Sequence, residues 1–298
     1  MKKFQFIISY FSNLLFFAQK TNQRYLVKID VQKYLADEKV NILFYGKNEN
    51  KIWREVNKAT GKQNVKQIKK FLTLLKFKFS SYWRKASKQL FLWKKYFRIN
   101  QFLFQQIILS IRKLSGTKHF SFFKIPIYLI SNSCSDDSEI NAWFSWTPNE
   151  SFIVIEIPFG LKPSNNLFPL GILAHEFFHL ILKKNTALAS QINKLIRKNI
   201  KSFPKLLDTH ISNRMFLEEL LISSFIPEGC LCKKYLEIKA FAPISKPKNL
   251  LGWRKLIAFK LYKTAKNYLC NARQIDKKYI ECIINIIKRN KNNHPSKL

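Results

Sequence analysis

The chain has 298 residues, with 53 lysines and arginines against 18 acids, a formal net charge of +35, and 47% hydrophobic and 15% aromatic content. So much apolar material excludes a disordered polyelectrolyte and is enough for one large or two smaller packed domains. The five cysteines are odd in number and irregularly spaced, which excludes a disulfide framework. Cys230 and Cys232 have no second pair with which to complete a zinc site, so the cysteines read as free thiols in a reducing compartment.

The first twenty residues, MKKFQFIISYFSNLLFFAQK, carry two lysines and an apolar stretch ending near Ala18. Gln5, Ser9, Ser12 and Asn13 interrupt the run. Phe4, Ile7, Ile8, Phe11, Leu14, Leu15 and Ala18 recur at steps of mainly three and four, as one helix face does on a core. The expectation is a mature helix or strand and a cytoplasmic protein. The alternative is a secreted or membrane-associated one, held through residues 1–18. No run elsewhere reaches 18 apolar residues, so no transmembrane span is expected.

From Lys62 to Ser115 there is neither glycine nor proline, and Ile68, Phe71, Leu72 and Leu75 fall at helical spacing. Two or three basic helices are expected, turning near Arg98-Ile99-Asn100. Between Glu55 and Asp136 the chain has 17 lysines and arginines and no acid. Such a surface attracts polyanions, so nucleic acid or an anionic membrane surface is a candidate partner. Compositional bias towards Lys, Asn, Ile and Phe would give the same pattern without a ligand.

KIPIYLI (Lys124 to Ile130) and SFIVIEI (Ser151 to Ile157) are short, rich in β-branched residues and bounded by Ser, Asn, Pro and Gly, so they read as strands. A further strand is expected around Ala142 to Trp146. After PFGLKPSNNLFP the helical pattern resumes and continues to the end. Helices, a small sheet, then helices again predict an α+β protein that is predominantly helical. Three regions follow: a basic helical region over 1–120, a core over 121–235 and a basic helical region over 236–298.

The chemistry concentrates in GILAHEFFHLIL, Gly171 to Leu182. Pro169 suits a first helical turn, and positions four apart share a helix face about 6 Å apart along the axis. His175 and His179 can therefore reach one tetrahedral ion. Glu176 follows the first ligand, where its carboxylate can hold a metal-bound water without ligating the metal itself. This is the HExxH arrangement, in which zinc lowers the pKa of the water and the glutamate accepts its proton. A third protein ligand is needed. A glycine three residues after His179 with a His or Asp six after it would supply one version, but Leu182 and Asn185 stand there. The other version is a glutamate on a later helix, and Glu218 and Glu219 lie in the apolar run NRMFLEELLISSFIPEG.

His175-Glu176-x-x-His179 followed by such a glutamate resembles the gluzincin group of zinc metallopeptidases, of the thermolysin kind. The resemblance covers roughly Ile125 to Gly229. It implies a zincin-like core with a small mixed or antiparallel sheet packed on an active-site helix pair, a zinc cofactor and hydrolysis of peptide bonds. It favours Glu219 as third ligand, since Glu219-Leu-Leu-Ile-Ser223 fits the family's pattern better than the register beginning at Glu218. Asn141 and Ala142 in NAWF resemble the family's edge strand that pairs with substrate backbone. Ser223 stands where an Asp would orient a ligand histidine, leaving that role unassigned. His210 and Tyr235 are candidates by location for the donor to the oxyanion, while His119 and His294 stay outside the site. The alternative reading is an inactive or structural metal protein whose basic helices bind nucleic acid or anionic membrane.

Overall fold

The computed structural model describes residues 3–22, 37–45, 49–117, 124–133, 139–146, 151–204, 211–237 and 247–291. The described residues are mostly helical with one four-stranded mixed sheet, the α+β class expected. They form two compact units, each built from two stretches: Met1–Ile99 with Phe122–Ser164, and Asn100–Ser121 with Asn165–Leu298. The sequence region 121–235 is thus divided between them. The sheet belongs to the first unit and the helix bearing His175 to the second.

The first unit opens with β1 (Gln5–Ile7) and α1 (Tyr10–Asn22), then a short helical turn α2 (Glu38–Asn41) and α3 (Glu49–Thr60). The apolar pattern at the N-terminus therefore serves a strand and a helix in succession. Ser9 starts α1 by accepting a hydrogen bond from the Ser12 amide at 3.1 Å. Two of the polar residues that interrupt the apolar run, Ser9 and Asn13, are structural. Asn13 is buried; its Nδ2 donates to Leu129 O at 3.1 Å and its Oδ1 accepts from Ser131 N at 2.9 Å. One side chain thus satisfies two backbone groups of the neighbouring strand β2 (Pro126–Asn132).

β2 and β4 (Ser151–Pro158) are the middle strands of the order β1-β2-β4-β3, with β3 (Asn141–Trp146) at one edge. β1, β2 and β4 run parallel, and β3 is antiparallel to β4. The near-continuous apolar runs of β2 and β4 follow from this central place, where both faces are covered. β2 begins two residues later than its apolar pattern implied. Pro126, which lacks an amide hydrogen, takes the first position, and Ser131 and Asn132 extend the far end. That extension is held by tertiary bonds: besides Asn13, the Tyr82 hydroxyl lies 2.7 Å from Ser131 Oγ.

α4 (Lys62–Ile99) is a single helix of 38 residues, about 57 Å long at 1.5 Å per residue. Its inner face carries Ile68, Phe71, Leu72, Phe79, Ala86, Leu90, Trp93 and Phe97, all buried. Gln89 on that face donates to Pro158 O and Leu161 O, both at 2.7 Å, and its Oε1 accepts from Gly160 N at 3.0 Å. The turn after β4 is thereby tied to the helix, and Gly160 adopts a φ of 90° that a Cβ would resist. α4 ends where the sequence pointed: Asn100 separates it from α5 (Gln101–Ser115), the first helix of the second unit.

The rest of the second unit comprises α6 (Phe168–Lys184), α7 (Thr186–Lys198), α8 (Asn213–Ser223), α9 (Cys230–Tyr235), α10 (Leu250–Cys270) and α11 (Lys277–Lys291). α6 and α8 are buried around nearly their whole circumference. Helices that are apolar on every side belong in an interior. Asn185 ends α6 and begins α7: its Oδ1 accepts from Leu188 N at 2.9 Å, and its Nδ2 donates to Ser115 O at 2.6 Å. Among the described residues no helix is long and apolar enough to cross a membrane.

Candidate metal centre

α6 starts at Phe168 with Pro169 in its first turn, so the four-residue spacing sets His175 and His179 on one face. Their rings stand 4.8 Å apart and 74° from coplanar, with the two Nε2 atoms 3.1 Å apart. α8 supplies the third group. Ser212 caps it by accepting from Met215 N at 3.2 Å, and that start sets the phase of the two glutamates.

The phase separates them. Glu219 Oε1 lies 3.0 Å from His179 Nε2, and its Oε2 lies 3.2 Å from His175 Nε2. Glu218 is also buried but turns elsewhere, pairing with Arg214 Nε at 2.8 Å and Lys183 Nζ at 3.4 Å. His175, His179 and Glu219 form a group whose ligand atoms all lie within 4.8 Å of one another, and all three residues are buried.

The residue after α8 that fixes a histidine is a backbone carbonyl. His175 Nδ1 lies 3.2 Å from Ile226 O, and a carbonyl only accepts, so Nδ1 carries the hydrogen and Nε2 presents its lone pair to the group. The turn that carries Ile226 needs Gly229: a Cβ there would collide with the Ser224 carbonyl. Ser223 stands where the motif resemblance leads one to expect an acid, and it does something different. Its Oγ accepts from Arg254 Nε at 2.8 Å. Arg254, on α10, also places Nη2 2.9 Å from Glu228 Oε1 and Nη1 3.6 Å from Glu219 Oε2. One guanidinium thus braces the Glu219 carboxylate, the helix end and a second buried glutamate.

The donor set invites a cation. Two imidazole nitrogens and a carboxylate crowd one spot, and Glu219 Oε2 is buried without a hydrogen bond. Burial alone would raise the Glu219 carboxyl, but the facing His175 and His179 rings hold it well below the usual carboxylate range. Two histidine nitrogens and one carboxylate oxygen are a donor set that would suit zinc, with water as a further ligand. For Glu176 burial dominates and pushes the carboxyl up to about 7, with His175 pulling it down and Glu219 pushing it further up.

Asn141 and Ala142 lie on the edge strand β3, paired with Glu156 and Ile155, in the first unit. The Tyr235 hydroxyl is hydrogen-bonded with Ser110 Oγ at 2.9 Å. His210, His119 and His294 lie outside the described residues. Arg254, Glu228 and the Ile226 carbonyl were missed. A backbone carbonyl leaves no mark on sequence, but Glu228 was findable as the lone charge in SSFIPEGCLC, and Arg254 with Lys255 interrupts the apolar LLGWRKLIAF. Compared with known proteins, the chain matches no family model, no curated protein and no solved structure.

Proposed function

We propose that the chain is a zinc-dependent peptidase that hydrolyses peptide bonds. The observation that carries this reading is the convergence of His175, His179 and Glu219 from α6 and α8 on one buried point, with Glu176 directly after the first histidine. Zinc held there would lower the pKa of a bound water and polarise a scissile carbonyl. His175 and His179 would bind through Nε2, the former oriented by Ile226 O, and Glu219 would complete the set while Arg254 steadies it. Glu176, directly after the first histidine, would serve as the general base for that water and return the proton to the leaving amine. That role separates this reading from a purely structural metal site, which needs no such carboxylate and fills its fourth position with Cys or His.

The test is metal analysis of protein prepared without chelator, followed by cleavage of unstructured peptides with and without chelator. About one zinc per chain is expected, with cleavage that stops on chelation and with Glu176→Gln. A protein without zinc, or cleavage that survives both treatments, would sink the proposal.

A further inference from the structure

The outer face of α4 combines positive charge with exposed apolar side chains in a way the metal centre does not use. Lys70, Leu74, Phe77, Ser81, Arg84, Lys88, Leu92, Lys95 and Ile99 succeed one another at steps of three and four, which makes them one stripe along the helix. The stripe runs about 44 Å at 1.5 Å per residue. Its apolar members stand well out of the protein: Phe77 is 88% exposed, Ile99 68%, Leu74 65% and Leu92 49%, and Phe91 beside it is 61% exposed. The helix has no acidic residue. Core packing does not require these side chains, because the opposite face of α4 already carries the buried row from Ile68 to Phe97.

We propose that this face docks on anionic lipid bilayers, with Leu74, Phe77, Phe91, Leu92 and Ile99 entering the boundary between headgroups and acyl chains. Lys70, Arg84, Lys88 and Lys95, interleaved with them, reach lipid phosphates and carboxylates from the same depth, their stems lying along the apolar surface. The chemistry favours lipid over nucleic acid. Leu74, Leu92 and Ile99 have no π face on which a base can stack, and a single-stranded binder needs stacking side chains along a groove. It also disfavours a second copy of the chain, since two such faces repel. The protein would lie on the membrane rather than span it, in keeping with the absence of a spanning helix among the described residues.

The test is co-sedimentation of the full chain at low salt with vesicles of phosphatidylcholine alone and with about one third phosphatidylserine. Binding to the anionic vesicles is expected to exceed binding to neutral ones by about tenfold or more. Phe77→Ser with Phe91→Ser should weaken it by about tenfold while circular dichroism stays unchanged, since both side chains are exposed. Lys88→Glu with Lys95→Glu should weaken it independently through charge. Binding to anionic vesicles that ignores both pairs of substitutions, no binding at low salt, or preferential retention by a single-stranded oligonucleotide would overturn the proposal.

Discussion

Around α8 the ionisable side chains are few and enclosed: Glu218, Glu219 and Glu228 are buried, and each has a cation or histidine within 3.4 Å. Along the outer face of α4 they are many and exposed, all of one sign. The same two residue classes do different work in the two places. A buried charge without a partner is expensive, so each charge around α8 specifies a geometry. An exposed lysine is comfortable in any direction and specifies almost nothing about the fold. Neighbouring residues can even diverge: Glu218 and Glu219 share a helix and a burial class, yet one holds two basic side chains and the other faces two histidines.

The largest effect should come from the buried group. Glu176→Gln is expected to keep zinc and fold but lower peptide hydrolysis by about 10²–10⁴-fold, measured as kcat/KM against any peptide the protein cleaves. His175→Ala and Glu219→Ala should each lose the metal, and chelation should lower the Tm of the parent but not of these variants. Glu218→Ala is the sharpest contrast. It should retain zinc and lose only about 1 kcal/mol of stability, because the Arg214 and Lys183 side chains are 38% and 31% exposed and can turn back to solvent. Equal zinc loss from Glu218→Ala and Glu219→Ala would erase the distinction between the two glutamates.

Arg254→Met comes next, at about 3 kcal/mol by denaturant unfolding, since it leaves Glu228 buried without its cation. It should also weaken zinc retention, because Glu219 and Ser223 lose the same brace. In the first unit, Asn13→Ala should cost about 2 kcal/mol by leaving the Leu129 carbonyl and Ser131 amide buried and unsatisfied. The smallest change belongs to the outer face of α4, where Phe77→Ser should shift stability by no more than about 0.5 kcal/mol. A large loss there would mean that the side chain packs rather than projects, and the contrast between the two regions would fail.

Local sequence determined what depends on neighbours along the chain. The strand character of KIPIYLI and SFIVIEI, the break at Asn100 and the pairing of His175 with His179 on one face were all legible, because strand and helix periods are properties of a few consecutive residues. The two glutamates of α8 were legible as anomalies in an apolar run, and an extended motif resemblance favoured Glu219. Only the tertiary structure decided the rest. It divided the chain into units that each join two separated stretches, it used Asn13 to close β2, and it set Arg254 of α10 against Ser223, Glu219 and Glu228. These partners are up to 118 positions apart for Asn13 and Ser131. No local period encodes such distances, because the free energy that selects them comes from satisfying a buried polar group wherever the packed chain brings a partner.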